Sequence, residues 1–153
     1  EKFDPIAAEQ FEQLKLLVTE GRWVIAELPG NKKYRLLYGN DSLIADNQDT
    51  IKHLMRLEAI EHTDQPHGLR LAAANREAWL DIDSETLYQH QENLEIRLAE
   101  ARQKLTGLKK RLENPTYLEK APAHLVEETR EQLAEQEKII TRLVSELEVI
   151  SLK

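Results

Sequence analysis

The sequence predicts an α+β fold in which a small, helix-covered β-sheet base carries a long antiparallel two-helix coiled-coil arm. Two observations lead to this fold class. Over residues 1–82, apolar side chains switch between the three- and four-residue spacing of amphipathic helices and the alternation of short strands. After Asp83 the spacing becomes a heptad pattern that runs through two segments separated by a proline-containing break. We therefore predict two domains, a base over residues 1–82 and a coiled-coil arm over residues 83–153.

The first predicted helix of the base begins at Asp4 and Pro5. A carboxylate before the helix accepts its free N–H groups, and proline suits the first turn. Pro29 and Gly30 end this helix, and Gly21 weakens its middle by up to about 1 kcal/mol relative to alanine. A second helix is predicted over 43–57, where apolar residues form one broad face.

Short strands complete the base. Tyr34, Leu36 and Tyr38 alternate with other residues before a turn, which predicts a strand over 33–38. A further strand is predicted over 58–63. The segments 69–73 and 78–82 flank Asn75 and Arg76 and indicate a β-hairpin. Together these segments predict a sheet of three or four strands covered by helices.

The arm consists of two heptad helices, predicted over 84–113 and 122–150. Their seam positions, spaced alternately three and four residues apart, are Leu87, Gln91, Leu94, Leu98, Ala101, Leu105, Leu108 and Leu112, followed by Val126, Thr129, Leu133, Gln136, Ile140, Leu143, Leu147 and Ile150. Asn114 and Pro115 stop the first helix, and Pro122 suits the first turn of the second. Each helix would extend about 45 Å. We expect the two helices to fold back on each other within one monomeric chain.

The overall composition restricts the class of protein. The 153 residues include 28 acidic and 21 basic side chains, no Cys, and a net charge of −7. Without Cys there are no disulfides, thiolate zinc sites, iron–sulfur clusters or cysteine nucleophiles, in keeping with the cytoplasmic location that we expect. No stretch approaches the roughly 18 apolar residues of a membrane-spanning helix, so no membrane partner is expected. Because the chain starts with Glu1, we interpret it as a piece of a longer protein.

Positive charge is concentrated in one short part of this acidic chain. Residues 101–120 carry six basic and two acidic side chains, whereas residues 1–100 carry 11 basic and 19 acidic ones. The candidate nucleic-acid-binding residues are the six basic ones, Arg102, Lys104, Lys109, Lys110, Arg111 and Lys120. Arg97, Arg102 and Lys104 have an alternative role, because residues beside a coiled-coil seam often pair with charges on the opposite helix, here Glu128 or Glu131 for Lys104. Lys110 points away from the seam, and the group near the tip is predicted to contact phosphates.

The connection between the arm helices is more specific than a helical hairpin requires. A leucine, an asparagine, an aromatic residue and a Lys-Ala-Pro triplet precede the second heptad helix, and they are Leu112, Asn114, Tyr117, Lys120, Ala121 and Pro122. This arrangement resembles the C-terminal arm of valyl-tRNA synthetases, where phenylalanine usually stands at the position of Tyr117. The passage from Leu54 to Ile60 is also similar to that family, and residues 22–29 resemble the final helix of its anticodon-binding domain.

The resemblance implies a noncatalytic tRNA-binding appendage. In the family, this coiled coil leans on the outer corner of tRNA, where the D and T loops meet, and supports aminoacylation elsewhere in the enzyme. The implied partners are tRNA and the remainder of the parent synthetase, which would be a valine–tRNA ligase. Neither of the ATP-binding signature segments of this synthetase class occurs in the chain. ATP and Mg²⁺ would therefore serve the parent enzyme, and no cofactor is expected in this chain.

Two further expectations concern chemistry and an alternative function. No Ser-His-Asp set or glycine-rich phosphate loop is visible, and the five histidines lack metal-ligand spacing, so we expect no catalytic residues and no metal site. The alternative to tRNA binding is a coiled-coil module for dimerisation or protein interaction. The basic tip and the connection over 114–122 favour tRNA binding, since a general dimerisation module needs neither.

Overall fold

The computed structural model describes residues 4–30, 32–72 and 74–151, and it confirms the α+β class. In chain order the elements are α1 (Pro5–Glu27), β1 (Arg35–Tyr38), α2 (Ser42–Asp46), α3 (Gln48–Met55), β2 (Ala59–His62), β3 (Leu69–Arg70), β4 (Ala78–Asp81), α4 (Ser84–Glu113), α5 (Pro115–Lys120) and α6 (Ala123–Ser151). The chain forms two compact units, unit 1 (Glu1–His90) and unit 2 (Gln91–Lys153). The predicted domain boundary after residue 82 stays a prediction, because compactness alone does not test where a domain ends.

Helix α1 starts where the sequence predicts. Asp4 Oδ1 accepts hydrogen bonds from the backbone N–H groups of Ile6 (3.0 Å) and Ala7 (3.3 Å), and Pro5 occupies the first turn. Gly21 is the point at which α3 approaches this helix closely. A Cβ atom added to Gly21 would stand within 1.9 Å of Met55 Cε. The glycine therefore weakens α1 locally but allows Met55 to pack against the helix backbone.

The sheet has the strand order β2-β1-β4-β3. β1 pairs in parallel with β2 and antiparallel with β4, and β3 and β4 form the predicted antiparallel hairpin, with Leu69 opposite Leu80. In β1, Leu36, Leu37 and Tyr38 are all buried, as expected of a central strand covered on both faces. The predicted strand over 69–73 extends to Ala73, which lies outside the described residues.

The single helix predicted over 43–57 is wrong, because this segment forms α2 and α3. Asn47 separates them with φ −127° and ψ 26°, which is outside the helical region. Its backbone N–H donates to Ile44 O, and its side-chain Nδ2 donates to Leu43 O at 2.7 Å, so one residue satisfies two carbonyls at the end of α2. α3 ends at Met55, and the next residue, Arg56, adopts a left-handed conformation with φ 56°. Apolar spacing alone did not reveal this interruption.

In unit 2, the heptad seam is confirmed. Every predicted seam position from Gln91 to Ile150 is buried or half-buried, and Leu94, Ala101 and Leu143 are at most 4% exposed. Residues 104–111 of α4 line a groove together with residues 132–136 of α6, so the two helices pack side by side. Tyr117, between them in sequence, bonds to Thr129 near the start of α6. The order of these contacts makes the pair antiparallel.

The predicted break between the arm helices contains a short helix that the sequence pattern does not predict. α4 ends at Glu113, as predicted, and α5 then covers Pro115–Lys120. Asn114 Oδ1 accepts the N–H of Thr116 at 3.0 Å, and Pro115 occupies the first turn of α5. Within the described part of the chain, no helix combines the length and the apolar character needed to cross a membrane.

Candidate nucleic-acid interface

The six candidate basic residues occupy the end of the helix pair in unit 2. Five of them lie on α4, and Lys120 is the last residue of α5. All six side chains are exposed. On a helix of 3.6 residues per turn, Lys104 and Arg111 fall on one flank of the seam, Arg102 and Lys109 fall on the other, and Lys110 points away from it. The positive charge thus surrounds the exposed side of α4.

The ionic surroundings of these residues favour an external partner. Among the residues that the structure describes, none of the six lies within 4.0 Å of a carboxylate. On α6, by contrast, Arg130 lies 3.6 Å from Glu127, and Arg142 lies 3.5 Å from Glu146. The alternative in which Arg102 and Lys104 pair with the opposite helix finds no support in these distances. The six cations therefore remain available to an anionic ligand.

A groove of about 500 Å³ lies between α4 and α6 at this end of unit 2. Its lining residues are Lys104, Gly107, Leu108, Arg111, Gln132 and Gln136. Apart from the neighbouring residues and the backbone of α4 itself, no atom lies within 4 Å of the position that a Cβ atom of Gly107 would take, so there is open space beside this glycine. Among the described residues, two cations, two amides and no carboxylate line it. Such a lining offers charged and neutral donors to phosphate oxygens and opposes them with no negative charge.

Lys104 shares its groove with amide side chains of α6. With the turn centred near 117 and 118, the sequence predicts Glu128 or Glu131 opposite Lys104. Among the described residues, Gln132 and Gln136 line the groove from α6. No carboxylate of these residues lies within 4.0 Å of Lys104, so the predicted ion pair is not formed.

Tyr117 links the connection to both arm helices. Its hydroxyl lies 2.9 Å from Thr129 Oγ1 and donates to Leu125 O at 3.4 Å. Its ring is half-buried, and the guanidinium carbon Cζ of Arg111 lies 5.9 Å from the ring centroid. At that distance the ring face attracts the cation. Tyr117 therefore anchors α5 against α6 and supports Arg111 in its exposed position.

Lys120 stands at the C-terminal end of α5. The N–H of Ala121 closes the helix on Tyr117 O at 2.9 Å, and Pro122 O accepts the N–H groups of Leu125 and Val126 at the start of α6. Among the described residues, the side chain of Lys120 makes no hydrogen bond to a helix-end carbonyl. A purely local role at the helix end is thus not supported for this residue.

A second group of cations lies in unit 1, and the sequence does not reveal it as a group. Arg22, Lys32, Lys33, Lys52 and Arg56 line two adjoining pockets beside α1 and α3. They are dispersed over 35 sequence positions, so no local pattern reveals them. Within the described ranges, no group of three or more His, Asp or Glu residues is arranged to hold a metal ion.

Comparison with known proteins relates the chain to one family. Residues 81–151 match the family model described as the valyl tRNA synthetase tRNA binding arm. A valine–tRNA ligase of Petrotoga mobilis is 30% identical over 162 aligned positions, covering 96% of this chain and 18% of the relative. A valine–tRNA ligase of Streptomyces avermitilis is 28% identical over 149 positions, covering 95% and 17%.

A valine–tRNA ligase of Ruegeria pomeroyi is 34% identical over 105 positions, covering 63% of this chain and 10% of the relative. The chain therefore spans less than a fifth of the length of each of these three relatives. The arm helices and their basic connection lie inside the segment that matches the family model. The chain accordingly belongs to the valyl-tRNA synthetase family, as a C-terminal region that carries the tRNA-binding arm.

Proposed function

We propose that the chain binds tRNA through the basic end of its arm and steadies the outer corner of the tRNA during aminoacylation by a parent valine–tRNA ligase. One observation carries the proposal. In a chain of net charge −7, six exposed cations without a carboxylate partner among the described residues gather at the end of the helix pair, inside the segment that matches the family model. The catalytic step, with its ATP and Mg²⁺, would belong to the rest of the parent enzyme.

The chemistry of this surface suits the RNA backbone. Lys and Arg gain affinity by neutralising phosphates and releasing their counterions, and this gain does not depend on base sequence. The groove beside Lys104 and Arg111 adds two glutamine amides, which can donate to phosphate or ribose oxygens. A surface of this kind recognises the shape of the RNA, here the tRNA corner, and not its base sequence. Selection of the tRNA would then rest with other parts of the parent enzyme.

The alternative function, protein interaction or dimerisation, needs an apolar seam that another helix can reach. In unit 2, α4 and α6 already bury their seam residues against each other. Ile96, Leu118 and Leu125 are the exposed large apolar side chains of this unit among the described residues, and they are spread over both arm helices and the connection. No continuous apolar stripe therefore remains on the part of unit 2 that the structure describes.

The experiment measures tRNA affinity as a function of salt. Labelled tRNA is titrated with the chain between about 50 and 200 mM KCl, and binding is followed by fluorescence anisotropy. Replacing Lys109, Lys110, Arg111 and Lys120 by Gln should weaken binding and lower the magnitude of the slope of log K against log salt by about 2.8–3.6 if all four contact phosphates, at roughly 0.7–0.9 per lost contact. Protection of the D and T loops from hydroxyl radicals should disappear with the same variant.

A matched pair of double variants separates a site from general charge. Lys109→Gln with Lys110→Gln removes two charges from the tip, and Arg130→Gln with Lys138→Gln removes two exposed charges from α6. We expect the first pair to weaken tRNA binding more than the second. Equal losses would indicate general electrostatics. Unchanged tRNA binding by the quadruple variant would favour the protein-interaction alternative.

A further inference from the structure

We propose that unit 1 contains a second RNA-backbone site, the basic cleft, formed by Arg22, Lys32, Lys33, Lys52 and Arg56. The choice of RNA as the bound polyanion rests on the function proposed above. The cleft consists of two adjoining pockets of about 520 and 400 Å³ that share Arg22, Lys33 and Arg56. Among the described residues, Asp49 is the single carboxylate that lines either pocket.

The fold of unit 1 brings these five residues together from three places. Arg22 lies on α1, Lys32 and Lys33 lie in the loop before β1, and Lys52 and Arg56 lie at the end of α3. The packing of Met55 onto Gly21 sets the close approach of α1 and α3. The loop is held by Tyr34, whose hydroxyl donates to Pro29 O at 3.2 Å and whose carbonyl accepts the N–H of Glu58 at 2.9 Å. Buried contacts thus hold the segments that present the exposed cations.

The ionic state of the cleft differs from that of the remaining surface of unit 1. Elsewhere, Lys15, Arg35 and Arg76 each have a carboxylate within 4.0 Å, the closest being Asp81 at 2.6 Å from Arg35. None of the five cleft cations has such a partner among the residues that the structure describes. Of the four described cations of unit 1 outside the cleft, three thus have a carboxylate partner, and the fourth, Arg70, donates to the carbonyl of Arg76 at 3.4 Å. The cleft collects five cations without a carboxylate partner, although acidic residues outnumber basic ones in this unit.

A local structural role explains only part of this arrangement. Lys52 stands in the last turn of α3 and Arg56 at its C-terminal end, where positive charge stabilises a helix. Lys32 has a local contact of another kind, because its Nζ lies 5.7 Å from the centroid of the Tyr34 ring. Arg22 and Lys33 have neither role, because α1 continues past Arg22 to Glu27 and Lys33 lies outside a helix. Five like charges around one concave surface repel each other and attract a polyanion. Two adjoining pockets suit an extended backbone better than a single small anion.

The test compares two double variants of the full chain. Lys33→Gln with Lys52→Gln removes two charges from the basic cleft. Lys15→Gln with Arg70→Gln removes two exposed charges from the same unit but outside the cleft. If both cleft lysines contact phosphates, the magnitude of the slope of log K against log salt for tRNA binding should fall by about 1.4–1.8. The ratio of the tRNA affinity of the unchanged chain to that of the cleft variant should then fall about tenfold between roughly 50 and 200 mM KCl. The control pair should keep the slope of the unchanged chain, and circular dichroism should show the same helix content for all.

The outcomes distinguish this inference from the proposed function of the arm. Loss of binding with the tip variants but equal slopes for the cleft and control pairs would overturn the basic cleft and leave the arm function intact. Loss with the cleft pair but none with the tip variants would support the cleft and overturn the arm as the tRNA-binding element. The assignment to RNA would also be overturned if calorimetry shows that the unchanged chain binds inorganic pyrophosphate in the cleft and the cleft variants still bind tRNA as the unchanged chain does. A chain without tRNA affinity would overturn both proposals.

Discussion

Tyr117 offers a direct test of how the arm positions its charge. Its hydroxyl bonds to Thr129 and its ring supports Arg111, so two substitutions separate the two roles. Tyr117→Phe removes the hydroxyl and keeps the ring. Tyr117→Ala removes both. If the ring holds Arg111 towards phosphates, tRNA affinity should fall with alanine and stay nearly unchanged with phenylalanine.

The magnitudes follow from the surrounding contacts. After Tyr117→Phe, the hydroxyl of Thr129 still donates to Leu125 O at 2.9 Å, so no buried group loses its last partner. The cost is then a single hydrogen bond, about 0.5–1 kcal/mol of unfolding free energy. Tyr117→Ala removes a half-buried ring, for which about half the usual 3–5 kcal/mol is expected, that is, about 2 kcal/mol. The lost cation–π contact of Arg111, about 0.5–1 kcal/mol, corresponds to a roughly 2- to 5-fold weaker tRNA affinity.

Thermal unfolding followed by far-ultraviolet circular dichroism measures the stability of these variants, and anisotropy titration measures their tRNA affinity. Arg111→Gln is the reference for the loss of the guanidinium itself. If Tyr117→Phe loses as much affinity as Arg111→Gln, the hydroxyl contacts RNA directly and the anchoring role is wrong. Unchanged affinity of a folded Tyr117→Ala variant would show that the ring does not position Arg111.

Three further predictions concern single residues of the fold. Gly21→Ala should destabilise unit 1 by about 1 kcal/mol, because crowding against buried Met55, about 1–3 kcal/mol, outweighs the helix preference of alanine, about 1 kcal/mol. Urea unfolding followed by tryptophan fluorescence reports on unit 1, where both tryptophans lie, and a stabilised variant would refute the close approach of α1 and α3. Gly107→Ala, whose added Cβ would meet no packed neighbour, should instead stabilise its helix by about 0.5–1 kcal/mol, measured by thermal unfolding with circular dichroism. Hydrogen bonds from the hydroxyl and the N–H of Thr86 lower the pKa of Asp83. Asp83→Ala should therefore reduce the melting temperature above the ordinary aspartate pKa of about 4, and the difference from the unchanged chain should shrink as pH falls through the lowered pKa. A difference that does not depend on pH would contradict this role for the Asp83 carboxylate.

The arm was predictable because its signals are local. Asn114 and Pro115 end one helix wherever they stand in a fold, and a heptad seam requires only a neighbouring helix to bury it. The six basic residues of the candidate interface all fall within residues 101–120, so a count of charge along the chain finds them. The same holds for the start of α1, where Asp4 and Pro5 act on the residues that follow them directly.

Other features depended on contacts between distant segments. The seam pattern did not determine which residues of α6 line the groove with Lys104, because this depends on how the two helices pack against each other. Asn47 interrupts a helix that its apolar pattern favours, since its side chain and N–H satisfy carbonyls of α2. The sequence alone determined the helices of the arm and the place of their charge, for which the decisive interactions join near neighbours. Only the tertiary structure decided the basic cleft, because Arg22 and Lys52 become neighbours through the packing of Met55 on Gly21, a contact between residues 34 positions apart.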